Sequence, residues 1–83
     1  MKYSEIASIV SALLVSILHV TPEEIEPTSN LQQDLEADSL DFAELSVRLA
    51  QRDIKVSKDQ VKGADTVADL IRLAVDGDSG GGV

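Results

Sequence analysis

Residues 36–52 read EADSLDFAELSVRLAQR, and their reading decides the fold. Asp38 is a residue type that caps helices, because its short carboxylate reaches a backbone N–H of the first turn. Asp41 places a second carboxylate where the positive end of the helix favours it. The stretch therefore predicts a helix from about Ser39 to Arg52. At about 100° per residue, this helix carries two apolar stripes. Phe42, Leu45 and Leu49 lie on one side, and Leu40, Ala43, Val47, Ala50 and Ile54 lie on the nearly opposite side. The wedge between them holds Asp41, Glu44, Arg48, Gln51 and Arg52. A helix in a small domain needs one buried stripe. Either this helix is central and buries both, or one stripe faces the core while the other, bordered by charge, faces a partner.

The residues upstream predict a first helix over about 3–19. Ile6, Ile9, Val10, Leu13, Leu14, Ile17 and Leu18 recur at the i, i+3, i+4, i+7 spacing of one buried face. His19 falls in its last turn, where an imidazolium sits well against the negative helix end, a role that fits better than catalysis for a lone histidine. TPEE at 21–24 is a short helix start, soon ended by Pro27. Residues 20–37 thus form a long acidic loop pinned by Ile25, Leu31 and Leu35. Downstream, a short turn spans about Lys58 to Gly63. Thr66 and Asp69 then cap a last helix whose apolar face is Val67, Leu70, Ile71, Leu73 and Ala74, ending near Val75. The expected fold is all-α, a small four-helix bundle of three main helices and one short one, with the long loop between the first two helices. Residues 1–76 make the domain and 77–83 a disordered Gly-rich tail. Asp76, Asp78 and Gly80 lack the spacing and the distal Glu of a calcium loop.

Composition narrows the function. Of the 83 residues 43% are hydrophobic, enough for one core, and with Tyr3 and Phe42 as the only aromatics that core must be aliphatic. The net charge of −8 argues against nucleic acid and for basic partners. Glu23, Glu24, Glu26, Asp34, Glu36, Asp38, Asp41 and Glu44 follow one another with no Lys or Arg between Lys2 and Arg48. This acidic run surrounds Ser39. Residues 6–18 are too short to insert across a bilayer, and their serines at helical spacing do not suit a secretory signal. Without cysteine, any thiol chemistry must use a thiol from elsewhere, and a reducing, cytoplasmic setting fits. Ser39 is not an enzyme nucleophile: its neighbouring carboxylates oppose alkoxide formation, and no base or Gly-rich elbow accompanies it.

LQQDLEADSLDFAEL at 31–45, with LHVTPEEI before it and TVADL after it, resembles the acyl carrier protein family, whose motif is Asp-Ser-Leu at the start of the second helix. The resemblance covers about Leu14 to Ala74. It implies that Ser39, flanked by Asp38 and Leu40, is joined by a phosphopantetheinyl transferase to 4′-phosphopantetheine from coenzyme A, whose thiol then carries acyl groups as thioesters. It further implies a monomeric, non-catalytic carrier for fatty-acid, polyketide or specialised lipid synthesis. Its partners would be acyl-loading, condensing and tailoring enzymes with basic docking patches, met by Asp41, Ala43, Glu44, Val47 and Arg48. The alternative is an unmodified acidic helical adaptor with the same fold. The sequence departs from fatty-acid carriers at VRLAQRDIKV, which has arginines where that group has a Glu-rich run followed by Phe and Gly. Residues 45–63 carry five basic side chains against two acidic ones. That departure favours a specialised pathway.

Overall fold

The computed structural model describes residues 2–78, which form four α-helices: α1 Tyr3–Leu18, α2 Ser39–Ala50, α3 Lys58–Gly63 and α4 Val67–Gly77. A 3₁₀ turn, Pro22–Glu24, lies in the loop between α1 and α2. The helix starts are set locally by reciprocal bonds between a cap and the third helical residue, which satisfy backbone donors that a helix leaves free at its N-terminus. Asp41 N–H donates to Asp38 Oδ1 and Asp38 N–H to Asp41 Oδ2, both at 3.0 Å. Ser57 and Gln60 do the same for α3, and Thr66 and Asp69 for α4. At the other end of α1, His19 is the C-cap, with φ 58° and its N–H donated to Val15 O. It is exposed, one step beyond the last turn where the sequence put it.

The core is aliphatic apart from Phe42. Ile6, Val10, Leu13 and Leu14 of α1 meet Phe42, Leu45 and Leu49 of α2, Val61 of α3, and Val67, Leu70, Ile71 and Ala74 of α4. Ile9, Ile17 and Leu18 pack against this cluster from its edge. Helix α2 thus buries one stripe, with Leu45 at 0% exposure, and leaves Leu40 at 80% and Val47 at 54%.

Two boundaries differ from the sequence reading. Helix α2 stops at Ala50 rather than Arg52, and Asp53 turns the chain with φ 60°. That turn carries Ile54, assigned to the outer stripe from the sequence, into the core. Helix α4 runs on through Gly77, because Lys55 N–H donates to Gly77 O at 2.7 Å and Ile54 bridges Asp78. A Cβ on Gly77 would lie 2.3 Å from the Lys55 carbonyl oxygen, so only glycine allows this approach. The rest of the expected tail, residues 79–83, lies outside the described residues.

The long loop is stitched to the start of α4. Val67 N–H donates to Ser29 O, Ala68 N–H to Pro27 O, and Leu31 N–H to Asp65 O at 2.9 Å. Leu31 and Leu35 are buried as side-chain anchors, and Ile25 packs at the edge. Substituting the two stripes separates their roles. Leu45→Ala should cost about 2 to 5 kcal/mol, as for a fully buried leucine. Val47→Glu should stay within about 1 kcal/mol, as for an ordinary surface change. Chemical denaturation of both variants measures this, and unfolding by Val47→Glu would mean that the second stripe is also structural.

Candidate functional site

Ser39 is the first residue of α2, and its side chain is exposed. Its position follows from the cap beside it: Asp38 is extended, with φ −122° and ψ −174°, and its carboxylate is committed to Asp41 N–H. Phe42 N–H donates to Asp38 O. Of the four donors at this helix start, those of Ser39 and Leu40 therefore have no protein acceptor among the described residues. The Ser39 hydroxyl is likewise engaged by no side chain or backbone group among them. A free hydroxyl beside two free N–H groups at the positive helix end suits an attached phosphate, which the helix dipole favours by about 0.3 to 1 kcal/mol.

The approach is acidic on one side. A polar recess of about 410 Å³ is bordered by His19, Glu24, Asp34, Glu36 and Asp41, so the end of α1, the loop and the start of α2 share one carboxylate-rich surface. Asn30 holds its loop segment in place. Its Oδ1 accepts from Gln32 N–H and Gln33 N–H, and its own N–H donates to Asp34 Oδ2 at 2.7 Å. Ala37, just before the cap, is buried and donates to Leu31 O at 2.8 Å. Between them Glu36 adopts φ 58° with its side chain exposed. A left-handed conformation costs a residue with a Cβ roughly 1–2 kcal/mol, and here it is held three residues before Ser39. No group of three or more acidic or histidine side chains among the described residues is arranged to hold a metal ion.

The other residues singled out from the sequence fall on one face of α2. Asp41, Glu44, Val47 and Arg48 follow the outer side of the helix, with Leu40 at its beginning and Ala43 half-buried beside it. Arg48 Nε donates to Glu44 Oε2 at 2.7 Å, an exposed i,i+4 pair worth about 0.2 to 0.5 kcal/mol. Sequence reasoning missed Ser29, Asn30 and Glu36, which shape the loop. Ser29 and Asn30 are frequent turn residues, but nothing local marks the left-handed turn at Glu36.

Comparison with known proteins agrees with this geometry. The family model described as "Phosphopantetheine attachment site" matches residues 8–74. The acyl carrier protein of a Sulfurovum species is 39% identical over 65 residues, which are 77% of this chain and 87% of that protein. The acyl carrier proteins of Chlamydia trachomatis and Chlamydia muridarum are 38% and 36% identical over 64 residues, 76% of this chain and 83% of each relative. The matched region takes in the exposed serine at the capped start of α2, and the class it defines is that of small helical carriers of phosphopantetheine. The chain belongs to the acyl carrier protein family, and its covalent prosthetic group is 4′-phosphopantetheine.

Two substitutions probe how the loop presents Ser39. Glu36→Gly, which relieves the left-handed backbone, should raise stability by up to about 1 kcal/mol after the extra freedom of glycine in the unfolded chain is counted. Asp38→Ala, which removes the cap, should lower it by about 0.5–2 kcal/mol. Thermal melts report both, and a destabilising Glu36→Gly would mean that the glutamate side chain makes a contact worth more than the strain.

Proposed function

We propose that this chain carries acyl intermediates on a phosphopantetheine arm joined to Ser39. The observation that carries the reading is the exposed, unengaged hydroxyl of Ser39 at the first position of a capped helix. The arm supplies the thiol on which acyl groups ride as thioesters, a thiol that a chain without cysteine does not have. Ser39 contributes the attachment oxygen, Asp38 and Asp41 hold the turn that presents it, and the free N–H groups of Ser39 and Leu40 favour the phosphate. The carboxylates of Asp38 and Asp41 beside Ser39 are committed to the cap, so the phosphopantetheinyl transferase removes its proton. Leu40, exposed next to Ser39, provides an apolar contact for that enzyme.

Acyl-loading, condensing and tailoring enzymes then dock on the outer face of α2 through Asp41, Ala43, Glu44, Val47 and Arg48, using basic patches against the acidic end. The cations beyond Arg48 favour a dedicated polyketide or unusual-lipid pathway over general fatty-acid synthesis. The chain works as a monomer in the cytoplasm, a reducing compartment that suits a carried thiol; no helix among the described residues is long and apolar enough to cross a membrane.

Intact-mass analysis after incubation with coenzyme A and a transferase of broad specificity tests the attachment. One arm should be added, mapping to the peptide with Ser39, and Ser39→Ala should abolish it while the fold is kept, since Asp38 is the cap. A wild-type chain left unmodified by several transferases, or a Ser39→Ala chain that is still modified, would overturn the assignment; the first outcome would favour the acidic adaptor.

A further inference from the structure

The seven cations of this chain are unevenly placed. Five of them, Arg48, Arg52, Lys55, Lys58 and Lys62, fall between residues 48 and 62, and only Lys2 and Arg72 lie elsewhere. Arg48 is already held by Glu44. Arg52, Lys55, Lys58 and Lys62 are exposed and form no ion pair among the described residues. Asp59, the acid between the two α3 lysines, lies instead in a groove between α3 and α4, with Asp69, Arg72 and Asp76. Lys58 and Lys62 are one helical turn apart and border no part of that groove.

The segment that carries these cations leaves the end of α2 and returns along one flank of its exposed apolar stripe. By helical spacing Arg48 lies on one flank of Val47, and Arg52 follows on that flank in the closing turn. On the other flank, Ser46 Oγ donates to Val56 O at 2.7 Å, which lays the segment leading into α3 along the helix. Val47 thus emerges, 54% exposed, between the Glu44–Arg48 ion pair on one side and the segment carrying Lys55 and Lys58 on the other, with Arg52 beyond its end, while Leu40 at the opposite end of the same stripe is exposed beside Asp38 and Asp41. Free charges flanking an exposed apolar residue have the composition of a docking surface, with an apolar centre and a polar rim.

We infer that the Arg52–Lys62 segment is a second docking surface that takes a carboxylate-bearing patch on a partner enzyme, while the Ser39 end takes a basic one. The inference rests on the carrier reading and names the partner's chemistry. A second copy of this chain could meet these cations only with its acidic Ser39 surface, covering the serine that must stay accessible, and an anionic membrane or nucleic acid would face the acidic end together with the cations. An enzyme whose own surface is divided, basic near the arm and acidic farther along, matches both halves.

The test uses the arm-bearing chain with a purified acyl-loading ligase and a purified condensing enzyme, each selected because it turns over the wild-type chain. Two paired reversals in the segment, Arg52→Glu with Lys55→Glu and Lys58→Glu with Lys62→Glu, are compared with Lys2→Glu with Arg72→Glu. All three pairs change the net charge equally. With at least one enzyme the segment pairs should raise KM about tenfold while kcat stays within about twofold, and the difference should shrink towards 1 M salt. The control pair should leave KM within about twofold. Equal effects from segment and control pairs with both enzymes, or a loss insensitive to salt, would overturn the inference. Melting curves check the fold, and Gln pairs, expected to raise KM about threefold, replace any reversed pair that does not fold. Failure of the carrier reading would appear earlier and separately, as a missing arm in the intact mass.

Discussion

The reciprocal bonds between Asp38 and Asp41 fix where α2 begins, and the beginning of α2 fixes its rotational phase. A start displaced by one residue would turn every side chain by about 100° relative to the core. With the observed start, Phe42, Leu45 and Leu49 all point inward, and α1, α3 and α4 assemble around them. The same phase leaves the Ser39 hydroxyl in solvent and Leu40 and Val47 on the outside. Fold and site are therefore two consequences of one cap, and Ser39 itself is not part of the bond network that holds it in place.

The loop before α2 solves a related problem. It carries most of the acidic charge near Ser39, and a loop with so many like charges gains little from its own side chains. Its order comes from elsewhere: Leu31 and Leu35 reach the core, and its backbone groups meet the N-terminus of α4, where helix donors need acceptors in any case. The left-handed turn at Glu36 is the cost of bringing this loop directly onto the cap. Carboxylates that would otherwise scatter are thus held on a defined surface without any cation paired to them inside the loop.

Most of the elements were legible because their signals are local. The 3.6-residue period of α1, and the caps at Asp38 and Thr66, each lie within a few residues of what they determine. The resemblance to the carrier family was legible for the same reason. Which stripe of α2 would be buried was not decided by periodicity, since both stripes are apolar; the choice depends on what α1 and α4 offer across the core. Ile54 was misassigned because the left-handed turn at Asp53 ends the helical register before reaching it. The extension of α4 rests on a backbone bond from Lys55 to Gly77, and the loop's order on bonds to residues 65–68. Pairings across 20 or more residues leave no periodic trace in the sequence.

Net charge is a poor guide to how such a surface meets its partners. At physiological ionic strength the field of an exposed charge fades over about 8 Å. Helix α2 has 12 residues and is therefore about 18 Å long. Its acidic beginning and the cations after its end lie more than one screening length apart, so a docking enzyme meets two local fields rather than their sum. On the reading proposed above, the acids close to Ser39 act where the arm is attached and unloaded. On the same reading the cations act at a distance from the reacting group, where they can change which enzyme is accepted without changing the chemistry at the arm. A carrier must present one attachment point to several enzymes, and separating shared recognition near the serine from selective recognition farther along the helix lets one short surface do both.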